Sequence, residues 1–211
     1  MTNEVKVAFI ENKYALLLST LLFIVPMFIG YFCAPYLESL LQPMVDNFES
    51  RIQKGEIKLT IESIFFNNFQ VAIIMYSGAI SLGFITAILL ISNGLFLGYF
   101  ATNSPIDLFL ILTLPHGIFE IPGIIIAGAG GFTLITFLPY FLRDIVTFEY
   151  NQWGERPKLR DRVVISFNKN FKKINHSLIL FGIATILLII AAFIEVYITI
   201  DLADYLMGFI G

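Results

Sequence analysis

From Tyr14 to Tyr36 the chain carries no charged side chain, a run of about 23 residues, or ~34 Å of helix at 1.5 Å per residue. That is enough to cross the hydrocarbon core of a bilayer. Comparable runs recur as far as Ile200, and they restrict the fold severely. In lipid every backbone amide needs a partner within the protein, which leaves helices or a closed barrel. These runs are continuous rather than alternating as barrel strands do, so helices are the expected element. The composition, 57% hydrophobic and 14% charged with a mean hydropathy of +0.82, stands against about 25% charged in an ordinary soluble domain. The expectation is therefore one all-α domain, residues 1–211, built as a polytopic transmembrane helical bundle.

Expected spans cover about residues 14–36, 71–91, 118–142 and 177–200, with a broken or re-entrant segment at 94–114. Pro26 falls inside the first and implies a kink that neighbouring helices must satisfy. The stretch from Leu37 to Glu62 mixes eight charged residues, Glu38 to Glu62, with Leu41, Val45 and Phe48, as an amphipathic connector would. Between 94 and 114 the polar marks Asn103, Pro105 and Asp107 would interrupt a helix in mid-membrane. Three readings stay open there: a broken span, a re-entrant hairpin, or a loop outside the membrane. Cys33 is the only cysteine, which excludes an intrachain disulfide and a multi-cysteine metal cluster.

Eight of the thirteen basic residues, from Arg143 to Lys173, lie between the last two spans. By the bias of Lys and Arg toward the cytoplasm, the loop 143–175 should be cytoplasmic and the C-terminal tail, with Asp201 and Asp204, outside. Five spans would place Lys6 and Lys13 inside as well; four would place them outside, and five is preferred. Within the loop, Leu159, Val163, Phe167 and Phe171 recur every four residues beside Arg160, Lys169, Lys172 and Lys173. That pattern suits a helix lying on a bilayer, with anionic lipid as its partner rather than nucleic acid.

His116 and Glu120 form an ionisable pair at i and i+4, on one face of an apolar helix that Pro115 is placed to begin. Ionisable groups inside a membrane are functional candidates. The competing reading is a structural lock in which the pair bonds to the amides of Asn67, Asn68 or Asn93. Histidine and carboxylate at this spacing are also candidate metal ligands, but two fall short of a full site, so Glu195 or a second subunit would have to contribute. Glu195 is otherwise expected to snorkel outward from the last span. Small residues recur at helical spacing at Gly83, Gly94, Gly98, Gly117, Gly123, Ala127 and Gly131, permitting close helix packing within one chain or along a homodimer seam. There is no phosphate-binding Gly-rich loop, metalloprotease helix or nucleophile elbow. Nothing supports an enzyme.

Several of these pieces occur together and in order: Ile64-Phe-Phe-Asn-Asn-Phe-Gln-Val-Ala72, Gly83, Asn93-Gly94 with Gly98, Leu114-Pro-His-Gly-Ile-Phe-Glu120 and Ala127-Gly-Ala-Gly-Gly131. The combination resembles the stage II sporulation protein M family over about residues 64–139. The resemblance implies an integral membrane protein whose namesake anchors a peptidoglycan-degrading complex of two other sporulation proteins. It carries Asn68, Asn93, Gly94, His116, Gly117 and Glu120 over as motif positions, with no catalytic role and no cofactor. The expected function is thus a non-enzymatic membrane scaffold or anchor for membrane or extracytoplasmic partners. The alternative is a small channel or transporter with a polar intramembrane site at His116 and Glu120, which would require a cavity reaching Asn93, His116 and Glu120.

Overall fold

A computed structural model describes residues 2–56, 58–103, 105–147, 158–199, 201, 202 and 205. Among them every regular element is helical: α1 (Thr2–Glu11), α2 (Lys13–Phe32), α3 (Ala34–Gln53), α4 (Ile61–Ser77), α5 (Phe84–Phe100), α6 (Ile106–Val146) and α7 (Leu159–Ile194). A single 3-10 turn, Gly78–Ser81, follows α4, and a π-helical turn, Glu195–Thr199, ends α7. Four helices are long and apolar enough to cross a membrane: Lys13–Phe32, Ile61–Ser81, Ile106–Val146 and the helix ending at Thr199. The shorter α5 is also an apolar helix.

The segment expected as one span over 71–91 is two helices joined by a tight turn. Leu82 and Gly83 adopt left-handed backbone, with φ of 53° and 85°, a conformation that glycine takes without the steric cost a β-carbon brings. The Thr86 hydroxyl donates to the Met75 carbonyl at 2.7 Å and ties the two helices across the turn. The interruption expected at 94–114 is confined to residues 101–105, between α5 and α6. Pro115 does not begin a helix, because α6 runs unbroken for 41 residues with Pro115, Pro122 and Pro139 inside it. Packing of neighbouring helices explains how a helix tolerates prolines that each delete one backbone bond.

Side-chain and backbone contacts fix the relative directions of the helices. The start of α2 lies beside α7, where Asn12 sits 3.3 Å from His176 and Lys172 donates to Glu11 at 2.6 Å. The neighbouring Ser177 donates to the Gly130 carbonyl of α6 at 2.8 Å, and Gly131 packs against Met75 at the end of α4. One level of the bundle therefore holds the start of α2, the 78–83 turn, Gly130 and Ser177. From it α2, α5 and α7 run away together, while α4 and α6 arrive from the opposite end. The parallel pair α2 and α5 is in backbone contact: Gly94 meets Phe23, Gly98 meets Met27 and Gly30 meets Leu95. Gly123 packs on Leu188 and Ala184, and Ala127 is wholly buried. These small residues thus close seams within the chain.

At ~61 Å, the 41 residues of α6 exceed the ~40–45 Å of a bilayer with its headgroups. Its last turns and the first turns of α7 continue as a two-helix stalk at the basic end. Phe167 packs edge-on against Phe137 and Phe141, and Asp144 takes a hydrogen bond from Asn170 at 2.9 Å and an ion pair from Lys169 at 3.1 Å. The segment expected to lie flat on the bilayer is therefore the collinear beginning of α7. Lys172 pairs with Glu11, Lys173 stands 4.1 Å over the Tyr140 ring, and Arg160 is exposed. Arg156 and Asp204, used in the charge argument, lie outside the described residues.

At the other end, the amphipathic connector is α3. It buries Leu41 and Val45 against Tyr99, accepts the Tyr99 hydroxyl on Gln42 at 2.7 Å, and sets Phe48 edge-on to Phe96 and Phe100 of α5.

Candidate functional site

Facing side chains of α4, α5, α6 and α7 leave a polar cavity of about 320 Å3, with Arg51 of α3 at its rim. Asn67 and Asn68 come from α4, Asn93 from α5, His116 and Glu120 from α6, and Glu195 from the turn that ends α7. Sequence spacing placed His116 and Glu120 on one face, and the fold turns that face inward. The π-turn does the same for Glu195, which does not snorkel outward. One ligand-type atom from each of His116, Glu120 and Glu195 lies within 4.8 Å of the other two. Such π-turns are frequent at functional sites because the extra residue per turn re-aims a side chain.

The polar atoms are connected unevenly. His116 Nδ1 sits 3.3 Å from the Thr199 hydroxyl, which itself reaches the Ile194 carbonyl at 3.3 Å. His116 Nε2 faces Glu120 at 3.8 Å, too long for a hydrogen bond. The asparagines share the cavity but are otherwise engaged: Asn67 donates to Asn68 at 3.3 Å, and Asn93 donates to the Leu89 carbonyl of its own helix at 2.8 Å. Among the described residues, neither the Glu120 nor the Glu195 carboxylate accepts a hydrogen bond. The expected lock between this pair and the asparagine amides is therefore not formed.

Toward the basic end the cavity is closed by apolar packing of Leu90, Ala127, Ala184 and Leu188, all fully buried. To one side it adjoins an apolar hollow of about 560 Å3 between the ends of α2 and α5 and the start of α6. The two share Leu97, Thr113, Gly117 and Ile121 as a common wall. Gly117 is thus a wall residue rather than a helix-packing one, since a β-carbon there would meet only Thr113 and Ile121 of its own helix, at 3.6 and 3.8 Å.

Thr199 and Arg51 escaped the sequence reading. The only available signal for Thr199 was its place one turn after Glu195 in an apolar run, and for Arg51 there was none, because its role at the rim depends on how α3 folds back over α5.

The family model of stage II sporulation protein M matches residues 19–200. The chain belongs to that family. An uncharacterised protein of Methanocaldococcus jannaschii is 33% identical over 200 residues, covering 92% of this chain and 99% of its own length. A second uncharacterised protein of the same organism is 28% identical over 208 residues, covering 94% of this chain and 87% of its own. No solved structure matches the chain. Membership thus accounts for the order of the motif pieces, and the apolar helices make this a membrane protein of that family.

Proposed function

We propose that this family member is a small membrane transporter that admits a cation to the cavity between α4, α5, α6 and α7. The observation that carries the reading is the convergence of His116, Glu120 and Glu195 in a cavity bounded by otherwise apolar helices. Ionisable groups at such depth are costly, and they characteristically mark ion pathways. A pure anchor has no need of a polar hollow, whereas a transporter requires one reaching Asn93, His116 and Glu120, and that hollow is present. The tight packing of Leu90 and Ala127 on the basic side fits a site reached from one face at a time, as alternating access demands. In this reading α2, α4, α5, α6 and α7 all cross, the basic stalk is cytoplasmic, and α3 caps the outer mouth.

Reconstitution into proteoliposomes tests it. The wild type should pass protons or divalent cations, and Glu120→Gln and His116→Ala should abolish the flux while eluting as folded protein. Wild-type vesicles no leakier than empty ones to either class of ion would refute it.

A scaffold role is the second reading, favoured by the stalk, where Val146, Leu159 and Val164 remain exposed beyond membrane depth. Exposed apolar surface of that kind marks contact with protein or lipid. Charged substitutions at these three positions would disrupt a partner complex and leave flux intact.

A further inference from the structure

We propose that His116, Glu120 and Glu195 bind a divalent transition-metal ion, such as Zn2+ or Fe2+. The inference deepens the transporter reading by naming the cation class and takes the cavity to be the working site.

Thr199 Oγ1 lies 3.3 Å from both the Ile194 carbonyl and His116 Nδ1, so when its proton is turned to the carbonyl it accepts from the ring. In the tautomer that matches this arrangement, Nδ1 of His116 carries the ring proton and Nε2 presents a lone pair toward Glu120. Ligating histidines are oriented in this way, the second nitrogen donating to a fixed acceptor. Neither carboxylate accepts a hydrogen bond among the described residues. Three ligand-type atoms, one from each residue, thus lie within 4.8 Å of one another, and in this tautomer all three are acceptors. An arrangement of acceptors alone is satisfied by a cation.

Charge selects the valence. Two carboxylates balance a divalent ion, leaving the site neutral in a low-dielectric surrounding where an unbalanced charge is expensive. The imidazole selects the class, because nitrogen ligands suit Zn2+, Fe2+ and Ni2+, whereas Mg2+, Ca2+ and Mn2+ favour oxygen. Metal–ligand distances of ~2.0–2.1 Å would place tetrahedral ligand atoms about 3.3 Å apart. The three side chains must therefore close by roughly an ångström, a movement that the unbonded carboxylates permit. A fourth position stays open to the cavity for water, or for Asn67 or Asn93.

The experiment uses the full chain in detergent, stripped with chelator and titrated with Co2+, whose visible absorption reports its coordination, and in parallel with Zn2+ by calorimetry. The expected result is one equivalent bound, with nitrogen-ligated Co2+ bands. Binding should be lost in His116→Ala and in Glu195→Gln. Thr199→Val, which keeps the shape but removes the acceptor on Nδ1, should weaken affinity about 10–100-fold. Absence of binding by the folded wild type, or equal binding by His116→Ala, would overturn the proposal. Metal binding without flux would retain this site and remove the transporter reading. Flux of protons without metal binding would do the reverse.

Discussion

Replacing Gly98 by alanine should destabilise the fold, whereas the same change at Gly182 should not. A β-carbon at Gly98 would overlap the Met27 carbonyl oxygen and lie 2.8 Å from the Met27 carbonyl carbon and 3.0 Å from the Tyr31 amide nitrogen. All three are backbone atoms of α2, so no side chain can rotate aside. Restoring ordinary contact at ~3.5–4.0 Å requires α2 and α5 to part by about 1.5 Å or more. The parting is felt along the whole seam, since Gly94 against Phe23 and Gly30 against Leu95 belong to the same backbone contact. Overpacking of this kind costs typically ~1–3 kcal/mol, and rigid neighbours place it at the upper end. Gly182 is the control, because a β-carbon there meets nothing within 4 Å. Alanine should gain up to ~1 kcal/mol there through helix propensity. The two variants should therefore differ by about 3–4 kcal/mol. For a chain of this size that corresponds to a gap in melting temperature on the order of 10 °C. Thermal unfolding in mild detergent, followed by circular dichroism, measures the gap. Melting of Gly98→Ala within about 2 °C of Gly182→Ala would show that α2 and α5 are not packed backbone to backbone.

Thr86→Val removes the hydroxyl that satisfies the Met75 carbonyl in the α4–α5 turn; the loss of stability should be about 1–2 kcal/mol by detergent unfolding, and an unchanged midpoint would refute the tie. Gly117→Ala should narrow the wall between the two cavities without lowering the melting temperature, as a β-carbon there meets only Thr113 and Ile121 side chains of its own helix, and a fall in midpoint would refute the wall assignment. Glu11 has its carboxyl held below the ordinary 4.5, chiefly by the hydrogen bond from Lys172. A depressed carboxyl contributes stability above its unfolded value and loses it as pH falls through the folded one. The acid limb below about pH 4.5 should therefore be shallower in Lys172→Ala than in the wild type, as melting curves collected between about pH 3 and pH 7 would register.

An all-helical membrane protein was legible from residue pattern alone. Charge-free runs such as 14–36 can satisfy their backbones in lipid only as helices, whatever their neighbours. The residue pattern also determined that His116 and Glu120 share a face, because 3.6 residues per turn fixes that for any helix through them. The amphipathic pattern of Leu41, Val45 and Phe48 likewise announced a helix with one buried side. Local signals misplaced the helix ends. Pro115 reads as a start and is interior, because prolines in a packed bundle do not break helices as they do in water. The break at Gly83 was invisible within an apolar run, since it depends on where Phe132 and Ile135 press against the turn. That the small-residue stripes receive Phe23, Met27, Leu188 and Met75 of the same chain came from tertiary packing, because a stripe shows how near a helix can come and not which helix comes. Tertiary packing alone brought Glu195 and Thr199, some 80 positions along the chain, onto His116. The antiparallel packing of α6 on α7 sets the depth at which each ionisable group meets another, and no spacing along the chain encodes that depth.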